Sequence, residues 1–399
     1  MKILYALPVV PWPLSSGLKV RSFYLARELA RRHDVCLFCL STSQVSADQA
    51  KAMDEAGLKL IVVEKHPMSH PAKVRSYLRR LVRGVPLSFM LSWEDPIFRR
   101  IESLAAAKGF DVAVAEHLFM ARYISTLACP KVLVEENVEG QLEAALAARE
   151  KLPLRWPRQA TAAWTGRYEK KMLRMMQSTV AVSTTDAGTL SRILPGIKPI
   201  VVENGVSCEE YRELAAGERA SRRALLFIGL MSYEPNVDAV MWFAGEILPR
   251  LLKKFPDMAI NVAGGEPSGE ITGLDDGLNL RVLGFVDDLK PLYRESAVLV
   301  VPLRAGGGSR LKILEAFAAG TPVVSTSIGA EGLEAEDGVH LLVADSPADF
   351  AAAVVRLLED GQLYEKLRRN ARLLAEEKYD WQVLAKKFEA ALQQASKLK

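Results

Sequence analysis

The sequence predicts an α/β protein made of two Rossmann-like, doubly wound domains that face each other across a cleft. Over the first 200 residues, short apolar runs alternate with helical patterns, as in a parallel sheet with crossover helices. The same alternation restarts after the polar stretch Cys208–Arg223. The length of 399 residues also suits two domains, since a domain usually has roughly 100–200 residues. We therefore predict an N-terminal domain at residues 1–203 and a C-terminal domain at residues 204–399.

The strands of the N-terminal domain are predicted from short, nearly continuous apolar runs, which are typical of strands buried on both faces of a sheet. These runs are Ile3–Leu7, Val35–Leu40, Leu58–Val63, Val112–Ala115, Lys131–Glu135 and Thr179–Ser183. Apolar positions with helical spacing predict the helices Leu18–Arg32, Gln141–Glu150 and Arg158–Met176. Ligands of such sheets bind at the carboxyl ends of the strands, so the loops that leave the strands are the informative positions.

The C-terminal domain is predicted in the same way. Its strands are Ala224–Ile228, Ala259–Ala263, Leu280–Leu283, Val298–Val301 and Pro322–Ser325. Its helices are Val237–Phe255, Asp287–Glu295, Arg310–Ala319, Pro347–Glu359 and Gln362–Glu377. A final helix, at about residues 381–397, is free to pack on either domain, including back on the first.

The composition is that of an ordinary soluble globular protein, with 49% hydrophobic and 25% charged residues. Cys36 and Cys39 form a CxxC pair inside an apolar run, which favours buried small side chains over a redox or zinc site. The sequence shows neither a signal peptide nor an apolar stretch of the roughly 20 residues that cross a membrane. We therefore expect a cytoplasmic protein, at most peripheral on the inner face of the cytoplasmic membrane.

The net charge of +4 hides a strong polarity along the chain. Residues 1–200 contain 29 Lys and Arg against 18 Asp and Glu, a net +11. Residues 201–399 contain 23 against 30, a net −7. The basic half is expected to attract anionic surfaces.

The loop after the strand Val298–Val301 carries the strongest chemical signal. It contains, in order, three glycines, a serine suited to cap a helix, and two cations: Gly306, Gly307, Gly308, Ser309, Arg310 and Lys312. Glycines let backbone N–H groups approach an anion, and a helix N-terminus adds donors and partial positive charge. Cations in a first helical turn are disfavoured by the helix dipole, and a bound diphosphate would offset that cost. The alternative is a flexible glycine turn with solvated cations.

Glu315 lies three residues after Lys312, one turn further along the same helix face. A carboxylate at this place can accept hydrogen bonds from two vicinal hydroxyls, such as those of a ribose. The spacing is not that of a Walker A loop, and no GxGxxG follows the first strand.

This segment, with its continuation Ala319-Gly320-Thr321-Pro322-Val323-Val324, resembles the donor-binding signature of retaining glycosyltransferases of the GT-B fold, glycosyltransferase family 4. Other parts of the chain resemble the domain junction, the first donor-domain strand and the two loops around the nucleotide base of that family. They are Glu203–Val206, Phe227–Gly229, Asn261–Gly265 and Val282–Val286. The resemblance covers essentially the whole chain and is more specific in its second half.

The resemblance implies transfer of a sugar from a nucleotide diphosphate-sugar of the UDP or GDP type to a saccharide or lipid-linked acceptor, with retention of configuration. It implies that the donor is bound by Gly229, Gly264, Gly265, Val286, Gly306, Gly307, Gly308, Ser309, Leu311, Ile313 and Glu315. Arg310 and Lys312 would stabilise the leaving diphosphate. No cofactor is expected, and no metal, because the chain has no Asp-x-Asp motif.

Two positions depart from the family pattern. Many members pair two glutamates eight residues apart, but the position eight before Glu315 is Gly307. Many also have an Arg and a Lys after the first donor-domain strand, whereas Gly229–Asn236 has no cation. We infer that Arg310 and Lys312 substitute for these two cations.

In the N-terminal domain, the loop Pro13–Lys19 resembles the family's small-residue loop beneath the donor phosphates. Its Ser16 and Gly17, together with Arg21 in the following helix, are predicted to line the cleft. The alternative is a simple strand-to-helix turn, with Arg21 facing solvent.

His117 directly follows the strand Val112–Glu116 and resembles the family's active-site histidine. The alternative is a loop histidine with a structural hydrogen bond. Glu136 and Asn137 follow the next strand and are candidates for polar contacts with the acceptor or donor. Their alternative role is the acidic start of a helix.

Two basic segments, His70–Val85 and Leu154–Met176, combine cations with apolar side chains. In the second segment the apolar side chains are Trp156, Trp164 and Met172. Basic amphipathic helices with aromatic residues suit an anionic membrane surface. A solvated helix is the alternative, and no nucleic-acid recognition motif is present.

The sequence thus predicts a glycosyltransferase of polysaccharide or glycolipid synthesis. Three other functions remain open. A sugar-nucleotide 2-epimerase of similar fold would release nucleotide without an acceptor. A sugar phosphorylase would carry pyridoxal phosphate, and a non-catalytic binding protein would bind the donor without turnover.

Overall fold

The computed structural model describes residues 1–64, 85–86, 89, 95–149, 155–217, 223–306 and 310–397. The chain divides into two compact units. Unit 1 comprises Met1–Glu203 and Leu384–Lys399, and unit 2 comprises Asn204–Val383. Each unit is built around one parallel sheet, as the alternation of strands and helices predicts.

Unit 1 contains a seven-stranded sheet with the strand order β3-β2-β1-β4-β5-β6-β7. The strands are β1 Lys2–Leu7, β2 Asp34–Ser41, β3 Lys59–Glu64, β4 Val112–Glu116, β5 Lys131–Glu135, β6 Ser178–Ala181 and β7 Ile200–Val201. All neighbouring strands run parallel, and Ile3 of β1 pairs with both Val35 and Val112. The carboxyl ends of β1, β4 and β5 therefore lie side by side at one edge of the sheet.

The helices of unit 1 connect these strands. They are α1 Gly17–Ala30, α2 Ala47–Glu55, α3 Asp95–Lys108, α4 Leu118–Ile124, α5 Glu139–Arg149, α6 Arg155–Leu173 and α7 Thr184–Ile193. Serine side chains begin three of them: Ser16 caps α1, Ser46 forms a capping box with Gln49 at α2, and Ser183 caps α7.

Unit 2 contains a six-stranded parallel sheet with the order β10-β9-β8-β11-β12-β13. Its strands are β8 Ala224–Ile228, β9 Ala259–Ala263, β10 Leu280–Gly284, β11 Val298–Val301, β12 Val323–Ser325 and β13 Leu342–Val343. Because the strands are parallel, the loops that leave β8, β9, β10 and β11 meet at one edge, which is where a ligand of such a sheet binds.

The helices of unit 2 pack around this sheet. They are α8 Arg212–Ala216, α9 Glu234–Trp242, α10 Leu248–Leu252, α11 Gly269–Thr272, α12 Lys290–Glu295, α13 Leu311–Ala319, α14 Ser327–Ala330, α15 Pro347–Glu359, α16 Gly361–Leu374 and the start of α17 Trp381–Lys397. Phe227, Phe317 and Phe350 are completely or almost completely buried in the core of this unit.

The predicted helix Val237–Phe255 corresponds to a continuous helical stretch that begins at Glu234 and ends at Leu252, but its middle is not α-helical. The structure has α9, a π-helical segment at Phe243–Ile247, and then α10. Pro249 lies at the start of α10 and has no backbone N–H, so the α-helical hydrogen bond that it would donate is missing. A wider turn just before a proline is one way to accommodate that loss.

Several helices of unit 1 were not predicted, namely α2, α3, α4 and α7. The reason is clearest in α4, where six of seven residues are buried, so its sequence has no amphipathic period.

Residues 384–397 of α17 belong to unit 1. Leu384, Phe388 and Leu392 on this part of the helix are fully buried, and the ring of Phe388 lies 6.0 Å from that of Tyr5. In the part of the chain that the structure describes, no helix is both long and apolar enough to cross a bilayer.

Helices α5 and α6 pack closely because two glycines meet at their crossing. A Cβ atom at Gly140 of α5 would lie 2.8 Å from the Cα atom of Gly166 in α6. A Cβ atom at Gly166 would instead meet nothing within 4 Å. The two glycines of one crossing therefore tolerate a side chain very differently.

We predict that Gly140→Ala destabilises the protein by about 1–3 kcal/mol, the typical cost of overpacking a well-packed interface. Gly166→Ala is the matched control and is expected to be neutral or slightly stabilising, since alanine favours a helix over glycine. Thermal and urea unfolding of both variants measure the difference. Equal stability of the two variants would contradict the packing described for α5 and α6.

Candidate functional site

The loops after β8 and β9 approach each other at the backbone. A Cβ atom at Gly264 would lie 1.7 Å from the carbonyl oxygen of Gly229. A Cβ atom at Gly229 would lie 2.7 Å from the side-chain amide of Asn236. Only glycine fits at these two positions, which the sequence analysis assigned to donor binding.

Lys312 of α13 reaches into this group of loops. Its Nζ atom donates to Asn236 Oδ1 at 3.2 Å and lies 4.8 Å from the centre of the Phe227 ring. Burial lowers the pKa of Lys312 to about 7, nearby Arg310 lowers it further, and Glu315 opposes the shift. Among the described residues no carboxylate forms an ion pair with Lys312, so its positive charge is under-compensated.

Arg310 lies at the N-cap of α13, one residue before its first turn, and its side chain is 7% exposed. The guanidinium donates to backbone carbonyls of two loops, at 2.6 Å to Ile328 O and 3.4 Å to Gly306 O. A third bond reaches Glu331 O at 3.3 Å. In this structure, Arg310 therefore holds the glycine loop against the 328–331 segment, whereas Lys312 presents the charge.

Glu315 is hydrogen-bonded by Tyr293, whose hydroxyl lies 3.0 Å from Glu315 Oε2 and 3.2 Å from the carbonyl oxygen of Lys312. Burial raises the pKa of Glu315 to about 7, while the Tyr293 bond and Lys312 oppose this shift. The sequence analysis missed Tyr293, because nothing in its helix distinguishes it from a core tyrosine.

The glycine loop itself is partly visible. Gly306 has a φ of 111°, and a Cβ atom there would lie 3.2 Å from Pro235 and 3.3 Å from the Tyr233 hydroxyl. Gly307, Gly308 and Ser309 lie outside the described residues. The predicted N-cap at Ser309 is nevertheless wrong by one residue, because the helix begins at Leu311 with Arg310 as its N-cap.

Three other predicted donor contacts differ in exposure. Leu311 and Val286 are half-buried, whereas the side chain of Ile313 is fully buried in the core of unit 2. Any contact of Ile313 with a ligand therefore has to come from its backbone.

Two exposed apolar side chains border Gly265, and the sequence analysis named neither. Phe285 is 71% exposed and Leu230 is 52% exposed. A Cβ atom at Gly265 would lie 3.8 Å from the Phe285 ring and 4.0 Å from Leu230. Phe285 could have been found in the sequence, because it comes just after a predicted strand, where polar or small residues are usual. These two side chains therefore expose apolar surface beside Gly265 to a ligand.

In unit 1, His117 has an unusual backbone conformation with a φ of 76°. Its Nδ1 atom accepts from the backbone N–H of Phe119 at 3.2 Å, so the neutral ring carries its proton on Nε2. Nε2 lies 3.1 Å from Glu139 Oε1. A strained backbone at a polar residue is often found at functional sites. Both ring nitrogens nevertheless have partners within unit 1.

Arg21 does not face solvent, as one alternative held, but is 1% exposed. Its Nε atom lies 3.4 Å from Glu116 Oε1, and its Nη1 atom donates to the carbonyl oxygen of Glu203 at 2.8 Å. Glu116 also accepts a hydrogen bond from the Tyr5 hydroxyl. The sequence analysis missed Tyr5 and Glu116 because both lie within apolar strands.

Glu136 belongs to this cluster. Burial, and after it the neighbouring Glu116 carboxylate, raise the pKa of Glu136 to about 8, while Arg21 lowers it. Glu136 therefore holds a proton at neutral pH and can donate a hydrogen bond. Of the other predicted cleft residues, Asn137 is exposed, Ser16 caps α1 and Gly17 is the first residue of that helix.

The acidic residues of this unit do not form a metal site. Within the described ranges, no group of three or more His, Cys, Asp or Glu side chains is arranged to hold a metal ion. Cys36 and Cys39 of the CxxC pair are free and buried in β2.

Comparison with known proteins identifies the second half of the chain. Residues 222–360 match the family model described as glycosyl transferases group 1. An uncharacterized 44.6 kDa protein in the cps region of Klebsiella pneumoniae is 27% identical over 164 residues, which are 39% of this chain and 42% of that protein. The phosphatidyl-myo-inositol mannosyltransferase of Mycolicibacterium smegmatis is 30% identical over 205 residues, 48% of this chain and 50% of the relative. The matches span about half the length of these relatives.

The structure of Anabaena Alr3699/HepE in complex with UDP is similar over nearly the whole chain. The TM-score is 0.67 at 15% identity, and the match covers 98% of this chain and 100% of that one. This similarity confirms the predicted GT-B fold class, with its two doubly wound parallel sheets.

We predict that Lys312→Met stabilises the unliganded protein by about 1–3 kcal/mol at pH 7, since it removes a buried charge that lacks a carboxylate partner. Burial lowers the pKa of Lys312 from its ordinary value of 10.5, so the unfolded chain binds this proton more tightly than the folded chain. The destabilisation caused by the Lys312 charge is therefore fully present below pH 7 and disappears as the pH rises to about 10.5.

Thermal unfolding at pH 7 and pH 10 measures this effect, with Lys253→Met as the control for an exposed lysine. We expect Lys312→Met to be more stable than the native protein at pH 7, by an amount that shrinks at pH 10. Lys253→Met should show no such change. If Lys312→Met lowered the stability at both pH values, the charge of Lys312 would be compensated in the free protein.

Proposed function

We propose that this chain, whose residues 222–360 belong to the glycosyl transferases group 1 family, is a retaining glycosyltransferase. In this proposal it transfers a sugar from a nucleotide diphosphate-sugar to a saccharide or lipid-linked acceptor. Unit 2 binds the donor and unit 1 supplies groups for the acceptor.

The observation that carries the proposal is the half-buried ammonium of Lys312, which binds Asn236 in the segment after Gly229. A positive charge without a carboxylate partner is costly unless an anion binds to it. Gly229 and Gly264 let the loops after β8 and β9 pack at backbone distance beside Asn236, the residue that Lys312 binds. The first turn of α13, which carries Lys312, adds backbone N–H groups there. A diphosphate matches this arrangement in charge and in its hydrogen-bond acceptors.

The remaining groups of unit 2 match the rest of a nucleotide. Phe285 and Leu230 offer an apolar surface on which a base can stack. Glu315, oriented by Tyr293, can accept hydrogen bonds from ribose hydroxyls. Uridine is our first choice of base because the similar Anabaena protein was solved with UDP.

In the reaction we propose, the bond between the sugar C1 atom and the diphosphate oxygen breaks, and its electron pair leaves with the diphosphate. Lys312 and the backbone amides of α13 stabilise the charge that builds up there. The acceptor hydroxyl oxygen bonds to C1 on the face from which the diphosphate departs. Its proton passes to a phosphate oxygen, so that the protein provides no nucleophile and the configuration is retained.

Unit 1 contributes hydrogen-bonding groups at the carboxyl ends of its strands. Glu136, protonated at neutral pH, donates to an acceptor oxygen, and Asn137 lies exposed next to it. His117 carries its proton on Nε2 and would have to exchange Glu139 for a substrate oxygen to donate to it. We therefore assign His117 a role in substrate contact rather than in proton removal.

The acceptor we propose is a growing saccharide or a glycolipid. A mannosyltransferase that acts on a phosphatidyl-myo-inositol is among the relatives, which supports a lipid-linked acceptor. The basic excess of residues 1–200 supports the same choice, since it attracts the anionic inner face of the cytoplasmic membrane. The proposed enzyme works there as a cytoplasmic, peripheral protein.

We predict that UDP stabilises the protein against heat and that Lys312→Met weakens its binding roughly tenfold to a hundredfold, the usual loss for a hydrogen bond to a charged group. Saturation at 100 times the dissociation constant adds about 2.7 kcal/mol, which a thermal shift resolves. Phe285→Ala should also weaken UDP binding, through loss of base stacking.

Isothermal titration with UDP, GDP and ADP identifies the base, and Lys253→Met serves as the control with the same change of side chain far from α13 in sequence. Equal UDP affinity of Lys312→Met and Lys253→Met would refute the diphosphate site.

We predict transfer from one nucleotide sugar to an added acceptor, with the anomeric configuration of the donor kept in the product and no loss of rate in EDTA. The measurement is NMR of products from a panel of UDP- and GDP-sugars with saccharide and glycolipid acceptors. An inverted product would exclude the proposed mechanism. Release of UDP without any acceptor would instead favour an epimerase.

A further inference from the structure

In unit 1, two helices that pack against each other, α5 and α6, expose large apolar side chains. In the described part of this unit, Leu142, Leu146 and Trp156 are the only large hydrophobic residues that are exposed, at 42%, 43% and 74%. Leu142 and Leu146 lie on α5 and Trp156 lies at the start of α6. Single exposed leucines are common, but a tryptophan with three quarters of its surface in water, on a helix that packs against α5, indicates a binding surface.

The exposed face of α6 continues from this tryptophan along the helix. Exposed residues recur three or four positions apart and so form one stripe: Trp156, Ala160, Ala163, Arg167, Lys171 and Arg174. The first half of the stripe is apolar and the second half is cationic. The opposite face of α6 is buried, and it includes Tyr168, Met172 and Leu173.

In the segment Leu154–Met176, the structure exposes fewer apolar side chains than the sequence predicted. Met172 is fully buried and Trp164 is half-buried, so neither forms an exposed aromatic or apolar group as the sequence suggested. The basic segment His70–Val85 lies outside the described residues, apart from Val85. The available apolar groups are instead Trp156 and, from α5, the two leucines.

We infer that Leu142, Leu146 and Trp156 dock onto an anionic lipid bilayer, with Arg167, Lys171 and Arg174 bound to its headgroups. We call these six residues the α5–α6 surface. Tryptophan prefers the membrane interface, where its ring is in an apolar environment and its N–H group meets water. The inference rests on the proposed function only in that a lipid-linked acceptor gives the bilayer a purpose.

Charge distinguishes a bilayer from other occupants. The +11 excess of residues 1–200 repels a second copy of the same surface and attracts an anionic one. A nucleic acid would use the cations but would gain little from two exposed leucines. An anionic bilayer uses both halves of the stripe, since apolar burial and headgroup attraction add.

The first test is co-sedimentation of the full chain with phosphatidylcholine vesicles, with and without phosphatidylglycerol. Binding is expected only with the anionic lipid and should weaken in high salt. The variant Leu142→Ser, Leu146→Ser, Trp156→Ser is expected to bind at least about tenfold more weakly, since each side chain loses its apolar burial. The matched control is Leu278→Ser, Leu373→Ser, which changes two exposed leucines of unit 2.

The second test separates position from net charge. We expect vesicle affinity to fall roughly a hundredfold, at about fivefold for each cation, in the triple variant Arg167→Gln, Lys171→Gln, Arg174→Gln. The control Lys253→Gln, Arg294→Gln, Arg369→Gln removes the same charge from exposed positions of unit 2. Equal effects of the two triple variants would overturn the assignment and leave only a general attraction of the charged protein.

Lipid contact of Trp156 is tested directly with brominated lipids, which quench tryptophan fluorescence on contact. Quenching in the native chain that is lost in Trp156→Phe, with sedimentation retained, supports the inference. Unchanged quenching in Trp156→Phe, dimer formation by light scattering, or binding to uncharged vesicles alone would refute it. The UDP thermal shift, measured on the same variants, reports separately on the proposed donor site and on folding.

Discussion

The half-buried ammonium of Lys312 connects the loops of unit 2 that leave β8 and β11. It holds the side-chain oxygen of Asn236, whose NH2 group donates to the carbonyl oxygen of Leu230 at 2.9 Å. One amide thus joins the helix after β11 to the loop after β8, and the loop after β9 passes so close that Gly264 tolerates no side chain. The ammonium gains one neutral acceptor and an aromatic face, which is less than a carboxylate would give it. Unit 2 therefore holds an uncompensated charge that binding of an anion would relieve, and many sites give up stability for function in this way.

Unit 1 shows the opposite electrostatics at the same edge of its sheet. Glu116 and Glu136 share the single guanidinium of Arg21, and Glu135 is buried without a hydrogen-bond partner among the described residues. Burial, and after it the neighbouring carboxylates of Glu169 and Glu139, raise the pKa of Glu135 well above its ordinary range. One unit thus holds a cation close to losing its proton, and the other holds carboxyl groups that keep theirs. In the proposed function, this difference in charge suits a donor diphosphate in unit 2 and a neutral polyol acceptor in unit 1.

The sequence predicted the sheets well and the side-chain partners poorly. Strands that are buried on both faces have nearly continuous apolar sequences and are therefore easy to predict. The strands β8, β9 and β11 have the predicted bounds. The glycine loop and Lys312 could be proposed as a site from the sequence because glycine spacing is local, although the N-cap is Arg310 rather than the predicted Ser309. The partners of Arg310, by contrast, are carbonyl groups of Gly306, Ile328 and Glu331, and no sequence pattern identifies a carbonyl as an acceptor. Tyr5 and Glu116 were missed for a related reason, since two polar groups that satisfy each other inside apolar strands resemble core residues.

The α5–α6 pair connects the outer surface of unit 1 with His117. Glu139, the first residue of α5, contacts the His117 ring, and its backbone N–H donates to Glu169 of α6 at 2.7 Å. Arg167 and Lys171, two of the inferred headgroup contacts, flank Glu169 on α6. Because Gly140 and Gly166 bring the two helices into backbone contact, the pair is expected to move as one body rather than to slide. A bilayer that held Trp156 would then fix the height of His117 above the lipid. For an acceptor that is itself anchored in that bilayer, a fixed height selects the headgroup length that reaches the carboxyl ends of β4 and β5. The packing of α5 against α6 would then contribute to acceptor choice in addition to the hydrogen bonds of Glu136 and Asn137.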